Sequence, residues 1–174
     1  RGGLFVDCTL GLGGHAHALL ARFPKSRLLG IDRDPRALQL ARQRLEEFGR
    51  RARCVEGNFR DLETVWAEHA VGEAPPAGIY ADLGMSSLQL DDPDRGFSFQ
   101  RDGPLDMRMG TEGPTAAELV NFATEENLEE IFREFGEEPE ARRVARAIGA
   151  QRRVRPIDTT VAHANVVRRA KRSG

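Results

Sequence analysis

Side chains able to do chemistry recur in one kind of place in this 174-residue chain, just after a short apolar run. Asp7 follows Leu4-Phe5-Val6, and Asp32 follows Leu28-Leu29-Gly30-Ile31. Asn58 comes shortly after Arg53-Cys54-Val55, and Asp82 follows the run 77–81. Behind the first run lies Gly11-Leu12-Gly13-Gly14, in which Gly11 and Gly13, with Ala16, satisfy G-x-G-x-x-G/A; Asp32 stands 21 residues beyond Gly11. Such a turn brings the backbone close to a ligand, and an acid at that spacing accepts hydrogen bonds from ribose hydroxyls. The pattern points to an adenosine-containing cofactor. Asp7 favours a ligand with an ammonium and a sulfonium, S-adenosylmethionine, over a dinucleotide whose pyrophosphate it would repel. The plainer role for Asp7 is a turn residue that satisfies N–H groups of the glycine loop. Phe59 is a candidate to stack on adenine, with a core position as the alternative.

These groups need a frame. Leu4–Val6, Arg27–Ile31, Arg53–Val55 and the run 77–81 read as buried strands. Ala16, Leu19, Leu20 and Phe23 mark one helix face after the first strand. Asp34-Pro35 opens a second helix, with Leu38, Ala41, Leu45 and Phe48 on one side and Gly49 at its end. Leu62, Val65, Trp66 and His69 line a third. This alternation predicts an α/β fold with a parallel sheet and right-handed crossovers, whose ligand lies at the carboxyl ends of the strands.

The pattern changes after Gly84. Residues 85–113 read as a long loop, rich in Gly and Pro. Helices follow: Thr115 with Glu118 forms a capping box, and Thr124 caps a helix with face Leu128, Ile131, Phe132 and Phe135, closed by Gly136. Pro139 opens another, burying Ala141, Val144, Ala145 and Ile148 and presenting Arg142, Arg143 and Arg146. A last helix runs from about Thr160 to Arg169.

Residues 139–174 carry ten Lys/Arg against Glu140 and Asp158, a balance of +8, so residues 1–138 carry −9 within a net charge of −1. A basic end on an acidic body suggests a polyanionic partner there, with a merely solvated helix face as the alternative. No apolar run approaches the roughly 20 residues of a membrane span, and no signal peptide is expected. Cys8 and Cys54 lie in strand-like stretches and are expected to be reduced, as in an intracellular protein.

Residues 82–109 read DLGMSSLQLDDPDRGFSFQRDGPLDMRM. This stretch resembles the signature of the RsmH (MraW) family. The resemblance extends to Asp7-Cys8-Thr9, Gly13-Gly14-His15, Gly30-Ile31-Asp32-Arg33-Asp34-Pro35, Phe135-Gly136-Glu137-Glu138 and Ala145-Arg146-Ala147-Ile148. It implies a Rossmann-like class I methyltransferase sheet with a helical inserted subdomain. It also implies S-adenosylmethionine as cofactor and methylation of the N4 amino group of a cytidine in 16S ribosomal RNA near the decoding site. Carried over by matching position, the cofactor would meet Gly13, Gly14, His15, Asp32, Phe59, Asp82 and Gln89. Family members begin earlier, with a segment resembling H-x-P-V-L, and continue past the basic helices. The sheet is therefore expected to be incomplete.

The resemblance divides the chain into a cofactor-binding core, 1–109, and a basic RNA-recognition subdomain, 110–174. Asp82, Ser86 and Ser87 are the catalytic candidates: Asp82 as acceptor for the target amino group, the serines as contacts to the base. Arg95, Arg101 and Arg108 are candidates for RNA phosphates, with internal pairing to Asp91, Asp92, Asp94 and Asp106 as the alternative. The expected partners are 16S ribosomal RNA and the small ribosomal subunit in the cytoplasm, with no membrane and no metal; a homodimer is left open. The competing readings are an NAD-type oxidoreductase and a non-catalytic RNA-binding module.

Overall fold

The computed structural model describes residues 2–172. Its chain divides into two compact units. The first holds residues up to Ser86 together with Met109–Thr111; the second holds Ser87–Arg108 and the chain from Glu112 onward. The boundary expected at 109/110 thus falls between Ser86 and Ser87, and most of the long loop belongs with the helices.

The first unit is a four-stranded parallel sheet, β1 (Leu4–Asp7), β2 (Arg27–Asp32), β3 (Ala52–Glu56) and β4 (Gly78–Tyr80), in the order β3-β2-β1-β4. Helices α1 (Gly14–Arg22), α2 (Pro35–Arg44) and α3 (Leu62–His69) connect the strands. Strand side chains alternate between faces. Leu28 packs with Ala16, Leu20, Leu38, Ala41 and Leu45 of α1, α2 and the turn that follows. Val6, Leu29 and Ile31 pack on the opposite face with Val65 of α3. The sheet is therefore covered on both faces at its centre, where Val6 of β1 and Leu28, Leu29 and Ile31 of β2 bury fully, each such side chain contributing roughly 1.5–3 kcal/mol. The outer strands, also expected to be buried, are not: β3 is only partly buried and Ile79 of β4 is 54% exposed. Gly30 leaves room for Leu10: a Cβ there would lie 2.6 Å from a Leu10 methyl. This packing draws the chain after β1 across the end of β2, where Leu10 N donates to Ile31 O at 2.9 Å.

The second unit contains α4 (Ser87–Asp91), α5 (Ala116–Phe122), α6 (Glu125–Glu134), α7 (Ala141–Val154) and α8 (Thr160–Arg172). Leu128, Val144, Ala145, Ile148, Ile157 and Val166 form its core, with Leu105 from the long segment. That segment is ordered by backbone contacts rather than left as a free loop. Leu105 N donates to Asp158 O (2.9 Å), Thr160 N to Gly103 O (3.0 Å) and Ala116 N to Asp106 O (2.7 Å). Gly96 has φ +72°, and a Cβ on it would sit 2.4 Å from the Pro104 carbonyl oxygen.

Phe23 and Phe135, expected in helix cores, are exposed. Among the described residues no helix is long and apolar enough to cross a membrane. Cys8 and Cys54 are free thiols that burial pushes above the ordinary range, so neither is primed as a nucleophile.

Candidate functional site

The site is built outward from the end of β1. Asp7 pairs in register with Gly30 of β2 and Tyr80 of β4, and is only 2% exposed. Its Oδ1 accepts from Thr9 N at 3.1 Å. Asp7 thus caps the turn from inside, but through Thr9 rather than through the glycine loop as expected: the Gly11 N–H goes to Asp32 and the Gly13 N–H to the Leu10 carbonyl. Burial pushes its carboxyl above the ordinary range. Tyr80 Oη is buried beside it and has no partner in good hydrogen-bond geometry among the described residues; burial first, and Asp7's charge second, push that phenol up. A raised acid favours the proton-bound folded state, so ionising Asp7 costs stability as pH rises through its folded-state pKa. Asp7→Asn should therefore raise the melting temperature at pH 7, an amide oxygen still accepting from Thr9. The gain should shrink as pH falls through that raised pKa and vanish below about 4, the ordinary carboxylate range. An equal gain at every pH would show that the charge is not its cause.

The turn itself needs glycine at two places. Gly11 (φ +53°) and Gly13 (φ +73°) occupy the left-handed region. Gly13 N donates to Leu10 O at 2.8 Å, and Gly13 is the N-cap residue of α1, with no side-chain cap. Gly14 and His15 follow as exposed residues of the first helical turn. The acid 21 residues on closes the turn directly: Asp32 Oδ2 accepts from Gly11 N at 2.7 Å, and its Oδ1 accepts from Asp34 N at 2.9 Å. A carboxylate has about four lone-pair sites, so Asp32 retains acceptor capacity beyond these two. Phe59 opens a short 3-10 turn after β3, which Asn58 caps through Arg60 N at 3.0 Å, and its ring is 46% exposed.

After β4 the chain returns to this edge. Asp82 N donates to Thr9 Oγ1 at 2.7 Å, while the Asp82 side chain is exposed. Thr9, which the residue pattern did not single out as functional, thus links the ends of β1 and β4. Its signal was the threonine of D-x-T. Contacts therefore join Asp7, Thr9, Gly11, Gly13, Asp32 and the Asp82 backbone, with Phe59 reached through Gly57 N, which donates to Asp32 O at 2.9 Å. Ser86 is half-buried at the end of the first unit. The Ser87 side chain lies outside the described residues. Gln89 belongs to α4 of the second unit, where it is 7% exposed.

Of the loop arginines, Arg108 follows the internal pairing alternative, while Arg95 and Arg101 are held by backbone carbonyls. Arg108 pairs with Asp106 (2.7 Å), Arg95 Nη2 donates to Arg108 O (2.9 Å), and Arg101 donates to the Asp91 carbonyl. The basic helices are partly committed as well. Arg152 donates to the carbonyls of Val120 and Ala123, Arg143 pairs with Glu140 (2.8 Å), and Lys171 pairs with Glu138 (2.8 Å).

A parallel sheet in the order β3-β2-β1-β4, with a glycine turn at the switch between β1 and β4, defines the Rossmann-like class. Within it the chain belongs to the MraW methylase family, whose model matches residues 1–173. The ribosomal RNA small subunit methyltransferase H of Methylorubrum populi is 50% identical over 167 residues, 96% of this chain and 47% of that protein. The protein of the same name from Beutenbergia cavernae is 48% identical over 170 residues, 97% of this chain and 50% of that one. The chain thus spans about half the length of the curated relatives it matches. An O-methyltransferase family 2 protein structure from Planctomyces limnophilus aligns at a TM-score of 0.33 and 19% identity, covering 70% of this chain and 28% of that one. The fold class rests on the sheet, not on that likeness.

Proposed function

We propose that this protein carries the cofactor-binding half and the basic helices of an S-adenosylmethionine-dependent methyltransferase acting on the N4 amino group of a cytidine in 16S ribosomal RNA. The observation that carries the reading is the shared strand-end edge. Asp32 is bonded to the glycine turn and Asp82 is held by Thr9 at the same end of the sheet. The names of its relatives supply the substrate class.

The residues present fit the cofactor. Asp32 has acceptor capacity left for ribose hydroxyls, the turn at Gly13, Gly14 and His15 permits close approach, and exposed Phe59 offers a flat apolar face for adenine. Bound S-adenosylmethionine would supply an electrophilic methyl group. The chain's own task is then orientation. A cytosine amino nitrogen is a poor nucleophile because its lone pair is delocalised into the ring. Asp82, accepting a hydrogen bond from that amino group, favours the pyramidal form. No dedicated base is needed, because the methylated amine becomes acidic as it forms and releases its proton to water. Ser86 and Ser87 are assigned to the base, Gln89 to the cofactor, and the second unit to the RNA, whose target nucleotide must be unpaired or flipped out. A cytoplasmic setting, with the ribosomal subunit as partner, goes with this reading.

Isothermal titration tests the reading: S-adenosylmethionine should bind and NAD should not. Asp32→Ala should weaken that binding by about 1–3 kcal/mol, through lost charge-assisted hydrogen bonds to ribose. The same truncation frees Gly11 N–H and Asp34 N–H, so the folded state of the variant is checked by its melting curve. An unchanged dissociation constant in a folded Asp32→Ala would remove Asp32 from the site.

A further inference from the structure

At the amino ends of β1, β2 and β3 lies a cavity of about 460 Å³, lined chiefly by Arg27, Arg50, Arg51, Arg53, His69 and Glu73. It is remote from the cofactor edge: β2 alone, from Arg27 to Asp32, spans about 17 Å at a strand's rise per residue. Its charge is opposite to that of the acidic body that contains it, with four guanidiniums facing one carboxylate. The cavity of about 420 Å³ in the second unit differs in this respect, because Asp102 and Asp158 balance Arg155 and Arg169 there.

Three of the four arginines have partners in the fold. Arg51 donates to the carbonyls of Ser26 (3.0 Å), Leu20 (2.7 Å) and Phe23 (2.9 Å) and stands over the Phe48 ring. It ties the end of α1 to the start of β2. Arg27 makes a two-pronged pair with Glu73, one bond at 2.6 Å. Arg53 donates to the His69 carbonyl at 2.5 Å. None of the carbonyl contacts neutralises a charge, and Glu73 offsets only one. Arg50 is exposed beside them, with no hydrogen bond or ion pair among the described residues. Guanidiniums gathered in a concave site repel one another unless an anion sits among them, and their planar forks match the oxygens of a phosphate.

We propose that this cavity is a phosphate-binding site, filled by a backbone phosphate of bound RNA or by free inorganic phosphate. The RNA source rests on the methyltransferase reading; the phosphate chemistry does not. The test uses Arg50→Glu, with Arg50→Gln as the milder variant, since neither breaks a bond within the fold. Inorganic phosphate, added at constant ionic strength, should raise the melting temperature of the unaltered protein, and Arg50→Glu should abolish the rise. Affinity for a single-stranded RNA oligonucleotide at low salt should fall roughly three- to tenfold, with a salt slope shallower by about one. Loss of the RNA effect and the phosphate effect together, or of the RNA effect alone, assigns the site to the RNA backbone. Loss of the phosphate response alone assigns it to the free ion. Both responses intact in Arg50→Glu would overturn the proposal. S-adenosylmethionine titration of the same proteins reads the methyltransferase assignment separately, because the cavity lies at the opposite end of the strands.

Discussion

Asp82→Ala is expected to lower methyl transfer by about two to three orders of magnitude at saturating cofactor and RNA, the usual cost of removing one preorganised polar group at a reacting centre. Folding should barely respond. The bond that holds this residue in place runs from its backbone N–H to Thr9 Oγ1, and the carboxylate itself is exposed. Truncating the side chain therefore leaves the tether between β1 and β4 intact. Thr9→Val does the reverse, removing the tether while leaving the carboxylate, and should lower stability as well as turnover. Asp82→Asn separates charge from acceptance, since an amide oxygen still accepts a hydrogen bond from an amino group. Single-turnover rates should rank the native residue first, Asn second and Ala last. Equal rates for Asp82→Ala and the native protein would place the amino-group acceptor elsewhere.

The part of this site that was legible in the residue pattern is the part set by local backbone demands. Gly11 and Gly13 sit where φ is positive, and Asp34-Pro35 starts α2 with Asp34 accepting from Arg36 N at 3.0 Å. The spacing of Asp32 from Gly11 was legible too, because it reflects one strand–helix–strand unit. What the pattern could not show is which way a polar group turns once strands are adjacent. Asp7 and Asp82 end neighbouring runs and look alike in sequence. Only pairing with β2 and β4 on both sides buries Asp7, whereas Asp82 lies beyond the last residue of β4 and stays in solvent. Helix periodicity likewise names a face but not what covers it: Phe135 keeps the spacing of Leu128 and Ile131, yet is 83% exposed, one residue past the end of α6. Gly136, read as the residue that closes this helix, is needed for close packing rather than for a positive φ. A Cβ there would meet the Phe132 carbonyl oxygen at 2.8 Å, and it is Glu137 that takes positive φ, at 48°. The long segment 85–113 looked structureless because its order comes from irregular backbone bonds, some to the start of α5 and others to the start of α8, more than fifty residues on.

The same limit reshapes the expected RNA contacts. Arg142, Arg143 and Arg146 form one group by composition, but the helix separates them. Arg142 and Arg146, four residues apart, share an exposed face of α7 and make no hydrogen bond or ion pair among the described residues, whereas Arg143 is half-buried against Glu140. If the basic helices hold RNA by charge, the double variant Arg142→Glu, Arg146→Glu should weaken binding about ten- to a hundredfold at low salt and flatten the slope of log affinity against log salt by roughly one to two units. Its melting temperature should stay close to the native value, because no internal bond is lost. Arg143→Glu should do the opposite. It places two carboxylates three residues apart, lowers the melting temperature, and leaves the salt slope nearly as it was. Fluorescence anisotropy with an RNA oligonucleotide at several salt concentrations, paired with thermal melts of all three proteins, measures both quantities. An unchanged slope in the double variant would mean that α7 presents these arginines to water rather than to RNA, and that the +8 balance of residues 139–174 serves solubility instead of recognition.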